Sequence, residues 1–139
     1  MKKRILSLLL VLMVIMSSSA FASTANIEKQ RERARQRIAE TPFVTYSEVM
    51  NNFTKWKGKS VHFKAKAAMQ DYDKNFVVFL EDGDLNKQFL VGLLPYRFKM
   101  GEYYTVIGQV KDIEVHNSGR KAIMLLGETN YPILSEYGL

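Results

Sequence analysis

Residues 58–94 read GKSVHFKAKAAMQDYDKNFVVFLEDGDLNKQFLVGLL, and this stretch decides the fold. Val61, Phe63, Ala65, Ala67 and Met69 alternate with His62, Lys64, Lys66 and Ala68, the period-two pattern of a half-buried strand with a basic outward row. The small residues in its second half suit the tight bending of a strand that serves both sides of a small barrel. Gln70–Asn75 (QDYDKN) forms a polar turn, Phe76–Leu80 (FVVFL) a second strand, Glu81–Lys87 (EDGDLNK) a second turn and Phe89–Leu94 (FLVGLL) a third strand. Strands two and three are apolar on both faces, which predicts a helix or another chain over their outer side.

Downstream, the short connection 95–100 (PYRFKM) leads to Gly101 and a long fourth strand, Tyr103–Val115, with Gly108 as its expected kink or bulge. His116–Gly119 (HNSG) makes a turn, and Arg120–Leu126 is the fifth strand. An irregular tail, 127–139, is expected to be held by Tyr131, Ile133 and Leu134. Upstream, Asn26–Glu40 carries five basic and three acidic residues, strong helix formers throughout, with a narrow apolar stripe of Ile27, Ala34 and Ile38. Such a helix is solvated on most of its surface, and Thr41-Pro42 ends it. A second helix is expected over Tyr46–Trp56, with Thr45 as N-cap, Glu48 at capping-box spacing, and Tyr46, Val49, Met50, Phe53 and Trp56 as its apolar stripe.

The first 22 residues read as a secretory signal peptide. Lys2, Lys3 and Arg4 precede an apolar run from Ile5 to Met16, broken only by Ser7, and Ala20-Phe21-Ala22 gives the small-x-small cleavage pattern. The run is too short to cross a bilayer as a stable helix. The expected organisation is therefore a signal at 1–22, a charged helical lead-in at 23–44 and one domain at 45–139. The expected compartment is the periplasm, or beyond it the exterior. Lys+Arg 20 against Asp+Glu 14 gives +6 for the chain, and removing the three basic residues of the signal leaves +3. That is weak attraction for a polyanion. With no cysteine, disulfides, thiolate zinc sites and N-terminal cysteine lipidation are excluded, so a hydrophobic core must carry the stability.

Five strands in this arrangement match a five-stranded Greek-key barrel, the OB-fold, in a mainly β chain with a helical lead-in and a short helix before strand one. Two runs carry a resemblance: Trp56-Lys57-Gly58-Lys59-Ser60-Val61, and Lys99-Met100-Gly101-Glu102-Tyr103-Tyr104-Thr105-Val106-Ile107-Gly108-Gln109-Val110. The chain resembles exported bacterial OB-fold domains of the tRNA-anticodon-like type over about residues 46–127. The resemblance implies a fold, since its motifs are structural glycines and valines.

Chemistry-bearing patterns are few. Asp71, Asp73, Asn75, Val78 and Asp82 fall at calcium-loop spacings, but Phe76 stands where the loop needs glycine and the flanks are strands, so a hairpin turn accounts for them. Glu81, Asp82 and Asp84, with Arg97 or Arg120, are the elements of a secreted metal-dependent nuclease, yet the acids share one solvated turn. An exported OB-fold haem chaperone carries His-x-x-x-Tyr, whereas His62 is followed by Phe-Lys-Ala-Lys and His116 by Asn-Ser-Gly-Arg. No catalytic group, metal ligand or cofactor is expected. OB-folds bind across strands two and three and the flanking loops, which here selects Tyr72, Lys74, Phe79, His116, Arg120 and Lys121. The expected function is a non-enzymatic binding module for an envelope protein, a cell-wall fragment or a small anionic ligand, with a second copy as a further partner. Single-stranded nucleic acid is the alternative ligand, and a secreted metal-dependent nuclease is the alternative activity.

Overall fold

The computed structural model describes residues 26, 28–94 and 96–128. The expected signal, Ile27 and the tail anchors Tyr131, Ile133 and Leu134 lie outside the described residues. Helix α1 (28–40) is followed by α2 (Tyr46–Asn51) and α3 (Phe53–Trp56), then β1 (Ser60–Asp71), β2 (Phe76–Leu80), a 3-10 turn at Glu81–Gly83, β3 (Gln88–Gly92), β4 (Tyr103–Val115) and β5 (Lys121–Gly127). The strands close into a barrel in the order β1-β2-β3-β5-β4. Every seam is antiparallel except the parallel pairing of β3 with β5. This is the OB-fold.

Lys66 is the pivot of the barrel. Ser60–Lys66 pairs with β4, Lys66–Asp71 pairs with β2, and Lys66 itself stands opposite both Tyr103 and Leu80. Ala65 and Ala67 on either side are fully buried, so one strand turns a corner without a large side chain inside the bend. The core is aromatic at its centre: Phe63 stacks on Phe89 at 4.0 Å and 9°, and Phe79 meets Phe63 edge-on at 6.0 Å. The connection 93–102 closes one end through Phe98, which packs edge-on against Phe79 and Tyr104 at 5.2 and 4.9 Å. Gln70 clamps it in place, its Nε2 donating to the Tyr96 carbonyl and its Oε1 accepting from Phe98 N–H.

Three sequence expectations change in the structure. Met69 does not point inward: a bulge between Ala67 and Met69 inserts a residue, resets the alternation and leaves Met69 49% exposed. The expected single helix is two, broken at Asn52 (φ −135, ψ 46). Thr45 does cap α2, accepting from Glu48 N–H, but the next amide, Tyr46 N–H, is held by the Glu81 carboxylate across the fold at 2.9 Å. Gly108 stays in register, and the irregularity of β4 lies three residues on, between Val110 and Asp112. A Cβ at Gly108 would sit 3.0 Å from the Leu126 carbonyl oxygen, so close approach of β5 rather than a kink explains the glycine.

Helix α1 docks on its own barrel. Ala34 is fully buried, Ile38 packs with it against the outward-facing Ile107, and Arg37 grips the Glu128 carboxylate with bonds of 2.7 to 3.2 Å. Phe43 then bridges in parallel to His62, and Thr41 Oγ1 lies 3.0 Å from His62 Nδ1.

Candidate functional site

A groove of about 610 Å³ runs over the outer face of β2 and β3. It exists because both strands are apolar on both faces: Val77, Phe79, Phe89 and Val91 fill the core, leaving Phe76, Val78, Leu80 and Leu90 to face out. Leu85 from the β2–β3 turn and the bulged Ala68 and Met69 of β1 complete the apolar lining. Among the described residues no helix covers this face, which leaves another chain as the expected cover.

Polar groups stand along the rim: Lys74, Gln88, Glu114, His116, Ser118 and Arg120. Strand register fixes where the two cations sit. Lys74 belongs to the β1–β2 turn beside Phe76, whereas Arg120 precedes β5, whose Ala122 pairs through Gln88 to Leu80 at the far end of β2. At 3.3 Å per strand residue those ends are about 13 Å apart. Each loop is set by its own hydrogen bonds. Asp71 accepts from the amides of Asp73 and Lys74, closing the first turn, and His116 and Arg120 pair through their backbones at 2.8 Å. His116 Nε2 rests 3.2 Å from Gln88 Oε1, tying the β4–β5 turn to β3.

The six residues selected from sequence are distributed as follows. Lys74, His116 and Arg120 line the groove. Tyr72 is 64% exposed beside it, with the Arg97 guanidinium 5.8 Å from its ring centre. Lys121 is exposed but not part of the lining; its carbonyl accepts from the Tyr46 hydroxyl at 2.7 Å. Phe79 is corrected: it is 0% exposed and belongs to the core, because even spacing along β2 puts Val77 and Phe79 inside and Phe76 and Val78 outside. The floor residues Phe76, Val78 and Leu90 were therefore missed, although the same two-faced apolarity contained them.

The acidic turn lies elsewhere. Glu81 and Asp82 line a separate pocket of about 710 Å³ with Lys64, Lys87 and Tyr103, away from Arg120 in the groove. Glu81 is occupied by Tyr46 N–H and by Lys87 at 3.7 Å, and Asp84 accepts from Asn86 N–H. Among the described residues no group of three or more His, Asp or Glu side chains is placed to hold a metal ion, and no helix is long and apolar enough to cross a membrane.

No protein-family model matches the sequence, and no curated protein matches it. Among solved structures, the chain is similar to a protein described as an aspartyl-tRNA synthetase of Leishmania major Friedlin, with a TM-score of 0.47 and 14% identity over 64% of this chain and 20% of that one. It is also similar to the telomere capping protein Ten1 of Saccharomyces pombe (TM-score 0.41, 11% identity, 64% of this chain and 80% of that one). The S. pombe Stn1–Ten1 complex gives 0.41 and 12% over 70% and 85%. Likeness at this level transfers no ligand; the strand order and register carry the fold.

Proposed function

We propose that this chain is an exported, non-enzymatic binding module that holds an apolar, acid-bearing segment of an envelope protein in the β2–β3 groove. The observation that supports this reading is the make-up of the groove: an aliphatic floor with one ring, Phe76, and a cation toward each end, Lys74 and Arg120. Aliphatic side chains of a partner bury against such a floor non-directionally. The cations then fix orientation by pairing with carboxylates spaced along the partner, a contribution to specificity more than to affinity. Export through residues 1–22 places the groove among envelope proteins and cell-wall fragments.

Photo-crosslinking in bacterial cells tests it. A photoreactive side chain at Val78 or Leu90 is expected to give a discrete adduct with an envelope protein, lost when Lys74→Glu and Arg120→Glu are combined. The same adducts from an exposed position on α1, or none from the groove, would overturn the reading.

A second reading, single-stranded nucleic acid, is favoured by one observation: a half-buried ring, Phe76, lies on the face that OB-folds use for strands, with a cation from a flanking loop toward each end of the groove. Fluorescence anisotropy with labelled DNA and RNA at low and physiological salt separates the two. Salt-sensitive binding lost in the Lys74→Glu, Arg120→Glu variant assigns the groove to nucleic acid. A flat titration leaves it with protein.

A further inference from the structure

We infer that a second surface, at the junction of α3, β1 and β4, docks the protein onto an anionic phospholipid bilayer. Three lysines fall within five residues there, Lys55, Lys57 and Lys59. All three are exposed, and none pairs with a carboxylate among the described residues. Their ammonium groups lie over aromatic rings instead. Lys55 Nζ and Lys59 Nζ are 4.9 and 5.9 Å from the centre of Trp56, and Lys57 Nζ is 6.0 Å from that of Phe53. Lys111 is exposed immediately after Val110, which pairs with this loop.

The cluster is held rigidly. Lys57 N–H donates to the Phe53 carbonyl at 2.9 Å, Lys59 N–H to that of Trp56 at 3.0 Å, and Gly58 N–H to that of Val110 at 2.8 Å. Val110 N–H returns a bond to the Lys59 carbonyl at 3.0 Å. Gly58 makes the turn with φ +81, and a Cβ there would meet nothing within 4 Å, so the loop faces open space. Trp56 and Phe53 are half-buried, packed against the core from below.

This chemistry fits a bilayer better than a strand. A nucleic-acid strand needs free ring faces for stacking, and here the rings already carry cations. An indole at headgroup depth surrounded by lysines is what an interface favours, and each lysine near an anionic leaflet adds attraction. The patch shares no residue with the β2–β3 groove, so the protein can sit on a membrane and present the groove to a partner.

Trp56 is the only tryptophan of the chain, so its emission reports on this surface alone. The chain as exported, residues 23–139, is mixed with vesicles of phosphatidylcholine, with or without phosphatidylglycerol, and compared with Lys55→Gln/Lys57→Gln/Lys59→Gln in the same chain. Contributions from residues outside the patch then cancel. The expected result is a blue shift and co-sedimentation with the anionic vesicles, weakened by salt. Partitioning should fall on the order of a hundred-fold in the triple variant, roughly five-fold per lysine. Equal partitioning of the triple variant, an indifferent response to lipid charge, or an emission shift produced by oligonucleotide rather than vesicles would each overturn the inference.

Discussion

His62 shows how much one position on an outward row can differ from its neighbours. Lys64 is exposed two residues along, but His62 is roofed by the segment that joins α1 to α2, with Phe43 tilted 5.5 Å from its ring. Burial lowers its pKa, and the contact with Thr41 offsets this only in part. The neutral imidazole is therefore preferred in the folded chain, while the unfolded chain takes up a proton below the ordinary value of about 6.5. Stability should fall as pH drops through that value and on below it, and His62→Gln should flatten this part of the profile; denaturant titrations at pH 5 and 8 measure it. Phe63, one residue on, is fully buried at the stacked centre, and Phe63→Ala should cost about 3–5 kcal/mol. The alternation of β1 made Phe63 legible as core. Nothing in it separated His62 from Lys64, because the roof comes from residues distant in sequence.

Elements were read well where a local signal governs them and less well where a partner strand does. The Thr45 cap was visible in sequence because capping is a short-range chemical requirement; Thr45→Ala should cost about 1 kcal/mol, read by thermal unfolding. The bulge at Ala67/Met69 was not visible, since no residue type demands it. It arises where β1 leaves β4 for β2, and it is what turns Met69 toward the groove. Gly108 was noticed for a different reason from the one that holds it there. With the Leu126 carbonyl oxygen and the Leu125 Cβ at 3.0 and 3.2 Å from any added Cβ, Gly108→Ala should destabilise by about 1–3 kcal/mol through overpacking. Helix α1 had too few apolar residues to announce a docking site, yet Ala34, Ile38 and the Arg37–Glu128 pair suffice. Arg37→Ala should speed hydrogen exchange in 28–40 and leave the amides of β1 and β4 protected.

At the scale of the whole molecule, the barrel separates two surfaces of unlike chemistry, an aliphatic groove and a lysine–tryptophan platform, on a frame whose own charge is modest. The fold was legible because closing a barrel needs strands with a filled inner face, and that pattern is written along each one. The site was legible only to the level of its loops. Which apolar side chain of β2 faces out depends on register, so Phe79 was chosen where Phe76 and Val78 stand. Strand order also has a temporal consequence. The β1–β2–β3 meander joins near neighbours, whereas the β1–β4 and parallel β3–β5 seams unite segments far apart in the chain. Loop-closure entropy must be met before those seams form. Assembly should therefore begin with the meander and finish at the parallel seam. Stopped-flow emission from Trp56 should show refolding in milliseconds to seconds, as for other barrels rich in non-local pairing. Microsecond refolding would mean that Trp56 is packed before the parallel seam is made.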